Sequence, residues 1–313
     1  MSGLDCTPIA FSCVRIHRLD RHSGEGSTLD ATARSLLGRR HPPRSYILRR
    51  GTIEREQIAP GSDVMRQIHL AADVESLAAD TAAFIAERIA TVLENADRFS
   101  LVLSGGNTPR KTYQQLAARA GEVDWSRVHL YWGDERCVPH THPDSNYRMA
   151  NEMLISKIPL PGSNIHPMEC NPTPEDGAHS YEQSLHREFP GAAFPHFDLI
   201  LLGLGGDGHT ASLFPGTDAL QERERWVVAN RVEKLNTWRL TLTLPVLNAA
   251  AAVVFLVAGS GKADILKEIL EGTQKRYPAQ LVQPDEGTVH WFLDQAARTS
   301  LGHSEAVGRG NSA

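Results

Sequence analysis

Residues 197–216 read FDLILLGLGGDGHTASLFPG, a nearly continuous apolar run followed by a glycine-rich turn that carries Asp207 and His209. A short apolar run without alternation predicts a strand that is covered on both faces, as in a parallel sheet with flanking helices. In open α/β sheets, ligands bind beyond the carboxyl ends of the strands. This stretch therefore predicts both a fold class and the place of a functional site.

Strands and helices alternate along the rest of the chain. Helices are predicted over 73–95, 111–120, 146–158, 173–189 and 262–272, and strands over 99–104, 127–136, 197–205, 251–261 and 288–294. The helix over 173–189 has Thr173 as N-cap, Pro174 at its first position and Asp176 completing a capping box. We expect an α/β fold with an open, mostly parallel, Rossmann-like doubly wound sheet, helices on both faces, and a single domain.

The ends of the chain differ in composition from its middle. Residues 1–60 hold ten Arg, no Lys and six Asp or Glu, with little apolar periodicity. We interpret 1–64 as a poorly ordered, Arg-rich extension without the apolar core of a secretory signal, 65–300 as the folded domain and 301–313 as a disordered tail. A further hypothesis is that translation begins at Met65, which native peptides upstream of that residue would contradict.

Composition narrows the classes of partner. The 313-residue chain has a formal net charge of −5, which argues against nucleic acid as its main partner. No apolar run approaches the roughly 20 residues of a membrane helix, so no membrane partner is expected. The four cysteines form no C-x-x-C pair, and we interpret Cys137 as a buried or half-buried thiol in a cytoplasmic protein. We expect a monomer or small homo-oligomer that binds a small molecule.

The first polar motif, SGGNTP, follows the strand over 99–104. Pro109 fits the first position of a helix and Thr108 its N-cap. Gly105 and Gly106 let backbone N–H groups approach a ligand, and helix N-termini bind anions. The motif is interpreted as a phosphate cradle to which the Ser104 and Thr108 hydroxyls add donors. An ordinary strand–helix turn is the alternative.

The GSGK motif at 259–262 resembles a nucleotide-binding P-loop only superficially. Leu256 stands where that motif needs its first Gly, and Ala263 stands where it needs Ser or Thr. A lysine at a helix N-terminus opposes the helix dipole, and a bound anion would offset this. We therefore interpret Lys262 as a second phosphate ligand, in preference to a solvated surface lysine.

The GDER motif at 133–136 directly follows another buried strand. The Arg136 guanidinium is suited to bidentate binding of substrate oxygens. Asp134 or Glu135 could orient a substrate hydroxyl or a neighbouring side chain, and we include Asp134 among the substrate ligands. The alternative is a solvated charged turn.

The GDGH motif spells G-x-G-x-x-G, but it is not interpreted as a dinucleotide site. Such a site opens directly into a long helix, and Pro215 arrives too early for one. His209 instead fits a general base, with Asp207 holding its tautomer or binding substrate. A structural loop histidine is the alternative. The remaining histidines, His166 among them, show no ligand spacing, so no catalytic metal is expected.

The motifs LSGGNTP, YWGDERCVP, LLGLGGDGHTASLFPG, RLTLTLP and VAGSGKADIL, in this order over about 65–300, resemble the glucosamine-6-phosphate isomerase/6-phosphogluconolactonase superfamily. The resemblance implies a sugar-phosphate lactonase domain that hydrolyses 6-phospho-D-glucono-1,5-lactone without a cofactor. It implies His209 as the base, Asp207 as its support and Arg136 at the charged or carbonyl end of the substrate. The phosphate ligands that it implies are Ser104, Gly105, Gly106, Thr108, Lys262 and Arg239.

Two other functions are compatible with parts of the pattern. A glucosamine-6-phosphate isomerase or deaminase would share the phosphate cradle, but those enzymes are similar to one another in reading GHIAFNEP where this chain reads GHTASLFPG. A non-catalytic sugar-phosphate sensor would usually carry a helix-turn-helix, and the front extension is too poorly patterned to form one. Hydrolysis of the lactone would distinguish the lactonase from the deaminase and from the sensor, because neither of them is expected to hydrolyse it.

Overall fold

The computed structural model of the chain describes residues 65–302. The predicted extension over 1–64, and residues 303–313 of the predicted tail, lie outside this range. Leu301 packs against the core and the Gly302 N–H donates to Glu271 Oε1 at 2.8 Å. Within the described range, no helix is long and apolar enough to cross a membrane.

Ten strands form two sheets in the described range. The strands are β1 (Met65–Ala71), β2 (Phe99–Leu103), β3 (Val128–Trp132), β4 (Asp134–Arg136), β5 (Ile165–His166), β6 (Leu199–Gly203), β7 (Val227–Val232), β8 (Thr237–Leu242), β9 (Ala252–Val257) and β10 (Thr288–Asp294). The larger sheet has seven strands, all parallel, in the order β1-β10-β9-β6-β2-β3-β5.

Within residues 65–302, seven α-helices connect and cover these strands. They are α1 (Val74–Leu93), α2 (Asn107–Ala118), α3 (Asn146–Met153), α4 (Pro174–Glu188), α5 (Leu244–Asn248), α6 (Ala263–Glu271) and α7 (Gln295–Arg298). Every residue of β2 and of β9 is buried. Because successive side chains point to opposite faces, both faces of the sheet are covered at these strands. The expected open parallel α/β sheet in a single domain is confirmed.

The smaller sheet was not anticipated. It is antiparallel, in the order β4-β8-β7. GDER was expected to form the polar end of a single strand over 127–136, but Asp134–Arg136 form a separate strand, β4. Their strand partner in β8 lies about 100 residues further along the chain, and a three-residue strand has no periodicity to detect. Pairing with β8 places Arg136 directly opposite Arg239.

Helix starts were predicted with mixed success. For α4, the Thr173 side chain accepts from the Asp176 N–H at 3.2 Å and Pro174 begins the helix, as expected. For α2, the expected Thr108 N-cap is wrong, because the helix begins at Asn107 and Gly106 occupies the N-cap with φ of 109°. Only glycine readily adopts that backbone angle, so the second glycine of SGGNTP sets the helix start.

A pair of histidines lies between β1, β10 and α1. His69 Nε2 and His290 Nδ1 are 3.1 Å apart, and both rings contact Phe84. Burial lowers the pKa of His69 to about 4. Burial, with further contributions from His69 and Arg88, lowers the pKa of His290 to about 3. Both imidazoles are therefore neutral in the folded protein at neutral pH.

This pair predicts a loss of stability in mild acid. The folded pKa values lie below the unfolded value of about 6.5, so the unfolded chain binds more protons and stability is lost as the pH falls from 6.5 towards 4. Each histidine contributes about 1.4 kcal/mol per pH unit over that window. We expect His290→Gln to reduce the pH slope of the free energy of unfolding by about that amount, measured by urea denaturation between pH 7 and 4.5.

The control variant is His179→Gln, which replaces an exposed histidine and should keep the wild-type pH slope. An unchanged slope in His290→Gln would contradict the assignment of the acid sensitivity to the His69–His290 pair.

Candidate active site

A cleft of about 500 Å³ opens beyond the carboxyl ends of β2, β6 and β9. All but one of the predicted site residues line it. These are Ser104, Gly105, Gly106, Thr108, Asp134, Arg136, His209, Arg239 and Lys262. The exception, Asp207, contacts the lining through His209. The structure thus brings together residues that are more than 150 positions apart in the chain, because parallel strands deliver their following loops to the same edge.

Asp207 and His209 form a hydrogen-bonded pair. The distance from His209 Nδ1 to Asp207 Oδ1 is 2.5 Å, and the His209 backbone N–H donates to the same oxygen at 3.2 Å. Burial alone would raise the pKa of Asp207, but hydrogen bonds from Lys234 and His209 outweigh it and hold that pKa well below its usual range. A carboxylate that accepts from Nδ1–H leaves Nε2 as the proton-accepting atom of the imidazole.

Lys234 contacts the candidate site, although nothing in the sequence led us to expect it there. Its ammonium group pairs with Asp207 Oδ2 and lies 4.7 Å from the centre of the Phe214 ring. The Phe214 ring in turn stacks on His209, with ring centres 4.1 Å apart. Lys234 lies in the 3₁₀ turn Glu233–Leu235 between β7 and β8, and no motif in that turn indicated a role.

Tight backbone packing holds the His209 ring in place. The Gly205 N–H donates to the His209 carbonyl at 2.8 Å, and Gly208 has φ of 75°. A Cβ atom at Gly205 would lie only 2.0 Å from His209 Nδ1. No helix opens directly from the turn over residues 210–217, where Thr210 and Leu213 form an isolated bridge, which is consistent with rejecting a dinucleotide site.

The SGGNTP loop presents the N-terminus of α2 to the cleft. No side chain in the described part of the protein caps this helix, so its first N–H groups are available to an anion. The loop is fixed from behind by the buried Tyr113, whose hydroxyl contacts the Ser104 N–H and carbonyl, each at 2.8 Å. Asn146 packs against Gly105 so closely that a Cβ there would lie 1.9 Å from its Oδ1.

Three cations face the cleft without a carboxylate partner among the described residues: Arg136, Arg239 and Lys262. The Nε atoms of Arg136 and Arg239 are buried, and over residues 65–302 neither has a hydrogen-bond partner. Burial, and then the charge of Arg136, lower the pKa of Arg239. Two adjacent, incompletely paired guanidinium groups favour a bound anion.

The two carboxylates of GDER support the site in different ways. Asp134 lines the cleft, but its oxygens accept from Ser212 Oγ at 2.6 Å and Asn146 Nδ2 at 3.3 Å. The buried Glu135 side chain accepts from the backbone N–H groups of Arg136, Asn146 and Tyr147 at 2.7–2.8 Å. It therefore caps α3 and fixes the backbone that carries Arg136.

The interpretation of Cys137 as a thiol is wrong. Cys137 and Cys170 form a disulfide with Cα atoms 5.0 Å apart. It links the segment directly after Arg136 to the segment before α4. The two cysteines are separated by 33 residues with no characteristic spacing, so only the folded chain shows that they meet.

Comparison with known proteins gives consistent matches over the described domain. Residues 72–291 match the family model described as glucosamine-6-phosphate isomerases/6-phosphogluconolactonase. The chain is 45% identical to a 6-phosphogluconolactonase of Synechocystis over 222 residues, covering 69% of this chain and 90% of that one. It is 44% identical to a 6-phosphogluconolactonase of Rattus norvegicus, covering 72% and 90% respectively.

Solved structures agree with these matches. The structure of a 6-phosphogluconolactonase from Thermotoga maritima superimposes with a TM-score of 0.65 at 32% identity. The alignment covers 74% of this chain and all of that one. The similarity therefore extends over the whole fold as well as the motifs of the cleft.

Proposed function

This chain belongs to the glucosamine-6-phosphate isomerase/6-phosphogluconolactonase family, and we propose that it hydrolyses 6-phospho-D-glucono-1,5-lactone to 6-phosphogluconate in the oxidative pentose phosphate pathway. It is a hydrolase that acts on a lactone, because its relatives at 44–45% identity are 6-phosphogluconolactonases by name. The single observation that carries the mechanism is the Asp207–His209 pair facing a cleft that also holds three cations without carboxylate partners.

The substrate is held at two ends. The phosphate binds the α2 N-terminus and the loop of Ser104, Gly105, Gly106 and Thr108, with Lys262 and Arg239 adding positive charge. The lactone carbonyl lies near Arg136. Anchoring the distant phosphate orients the reacting carbonyl, and such positioning contributes several kcal/mol to catalysis.

His209 Nε2 then takes a proton from water as the water oxygen bonds to the lactone carbonyl carbon. Negative charge develops on the carbonyl oxygen, and the Arg136 guanidinium stabilises it. The tetrahedral species collapses by breaking the bond from that carbon to the ring oxygen. The imidazolium returns its proton to the departing oxygen, and Asp207 stabilises the imidazolium while it exists. The product acid then releases a proton to solvent.

The test is the rate at which freshly made 6-phosphogluconolactone disappears with the full chain, compared with its spontaneous hydrolysis. We expect clear acceleration for the phosphorylated lactone and little for gluconolactone, because phosphate anchoring supplies the orientation. A folded protein that gives no acceleration would overturn the proposal. Glucosamine 6-phosphate, the substrate of the alternative deaminase, should be left unchanged.

We also propose no nucleic-acid or membrane partner, a monomer or small homo-oligomer, and a cytoplasmic location. The Cys137–Cys170 disulfide is the observation against that location, because disulfides are rare in a reducing cytosol. The net charge of −5 supports the absence of a nucleic-acid partner. Light scattering on the purified chain measures the oligomeric state directly.

A further inference from the structure

A second cluster of titratable groups lies outside the cleft, at the β3–β5 edge of the parallel sheet. His129 from β3, His166 from β5 and Glu188 at the end of α4 each offer one ligand atom, and these atoms lie within 4.8 Å of one another. None of the three lines the cleft. His129 precedes the carboxyl end of its strand at Trp132 by three residues, or about 10 Å of strand.

The two imidazoles are already close to chelating geometry. His129 Nδ1 and His166 Nε2 are 3.1 Å apart, and the ring planes are tilted by only 13°. Zn–N bonds of about 2.05 Å at a tetrahedral angle place two nitrogen ligands about 3.4 Å apart. An ion that replaces the hydrogen bond between the rings needs the two nitrogen atoms to separate by only about 0.3 Å, and it needs each ring to turn so that its nitrogen lone pair points at the ion. The carboxylate has to approach further, by rotation of the Glu188 side chain.

The surroundings prepare these groups as ligands. Tyr131 stacks on His166 with ring centres 4.5 Å apart, which holds the imidazole in plane. Glu188 Oε2 accepts from Arg98 at 2.9 Å, and the second carboxylate oxygen, Oε1, has no hydrogen bond among the described residues. Burial, the largest effect, lowers the pKa of both histidines. Neutral imidazoles are the form that binds metals.

We propose that His129, His166 and Glu188 bind a divalent transition-metal ion, and that zinc suits this set of two imidazoles and one carboxylate. All three side chains are partly exposed, so the ion has a path from solvent. The ligands come from three separate elements, and the bound ion ties the short edge strand β5 and the end of α4 to β3. Its role is structural, because the site lies away from the cleft.

Calorimetric titration of the full chain with ZnCl₂ tests the proposal, and the melting temperature in zinc gives a second readout that does not depend on activity. We expect about one equivalent to bind, and zinc to raise the melting temperature. His166→Phe keeps a ring against Tyr131 but removes the ligand atom, and it should weaken binding by at least about tenfold. His129→Gln should do the same. Exposed His179→Gln, on the same helix as Glu188, is the matched control.

Zinc binding by the wild-type chain and by these variants either supports the proposed metal site or overturns it. Loss of the site in both His166→Phe and His129→Gln, with binding kept in His179→Gln, supports it. Binding that is unchanged in either ligand variant overturns it, as does a wild-type chain without a zinc site. Circular dichroism of each variant establishes that it is folded, and Glu188→Gln, which keeps the side-chain shape, should give a smaller loss of affinity.

Discussion

His209→Asn is expected to lower kcat for lactone hydrolysis by about 10²–10⁴-fold, the range that a positioned general base contributes. The amide of Asn can occupy part of the imidazole's place but cannot accept the proton of water at neutral pH. KM should change little, because the residues proposed to bind the phosphate lie on other loops of the cleft. The measurement is the initial rate over a range of lactone concentrations, corrected for spontaneous hydrolysis.

The control for this variant is His179→Asn, which removes an exposed histidine of α4. It should leave kcat and KM unchanged. If the folded His209→Asn variant kept near-normal turnover, His209 would not be the general base. The structural alternative, a loop histidine that only packs on Phe214, would then stand.

Gly205→Ala is expected to lower kcat by about 10²-fold or more. Glycine has no side chain that could take part in the reaction, so the effect must act through the position of His209. The added methyl carbon would lie 2.0 Å from His209 Nδ1 and 2.2 Å from its Cε1, so the ring must rotate away. Rotation breaks the hydrogen bond to Asp207 and moves Nε2 away from its working position. Misplacement of a catalytic group by about 1 Å costs on the order of 10² in rate.

The neighbouring glycine provides a matched control. A Cβ at Gly206 would meet no atom of the described residues within 4 Å, and the φ of Gly206 lies outside the left-handed region. Gly206→Ala should therefore keep wild-type kcat and nearly wild-type stability. If Gly205→Ala retained full activity, or if both variants lost it equally, close packing against the His209 ring would not be what positions the base.

The place of the candidate site residues in the fold could be predicted from sequence where one short stretch holds all the information. FDLILL followed by GLGGDGH shows a strand and a polar turn, and a parallel sheet brings such turns to one edge. This is why SGGNTP, GDGH and Lys262 were expected at one site, and the residues of SGGNTP, His209 and Lys262 line one cleft. The chemical types of Asp207 and His209 likewise suggest an acid–base pair before any distance is known.

Prediction failed where a feature depends on a partner distant in the chain. The β4–β8 pairing joins Arg136 to Arg239, and neither strand signals the other. Lys234 lies in a short turn with no motif, yet it contacts Asp207. The Cys137–Cys170 disulfide and the His129–His166–Glu188 cluster arise in the same way.

The sequence by itself determined the alternation of buried strands and helices, the open parallel sheet, and the residue types that follow each strand. These depend on local burial patterns and turn chemistry, which neighbouring residues specify. Only the tertiary structure decided that Asp134 is engaged by Ser212 and Asn146, that Glu135 caps α3, and that Lys234 holds Asp207 charged. Those properties require desolvation and hydrogen bonds between groups far apart in the chain, and they exist only once the fold has brought the groups together.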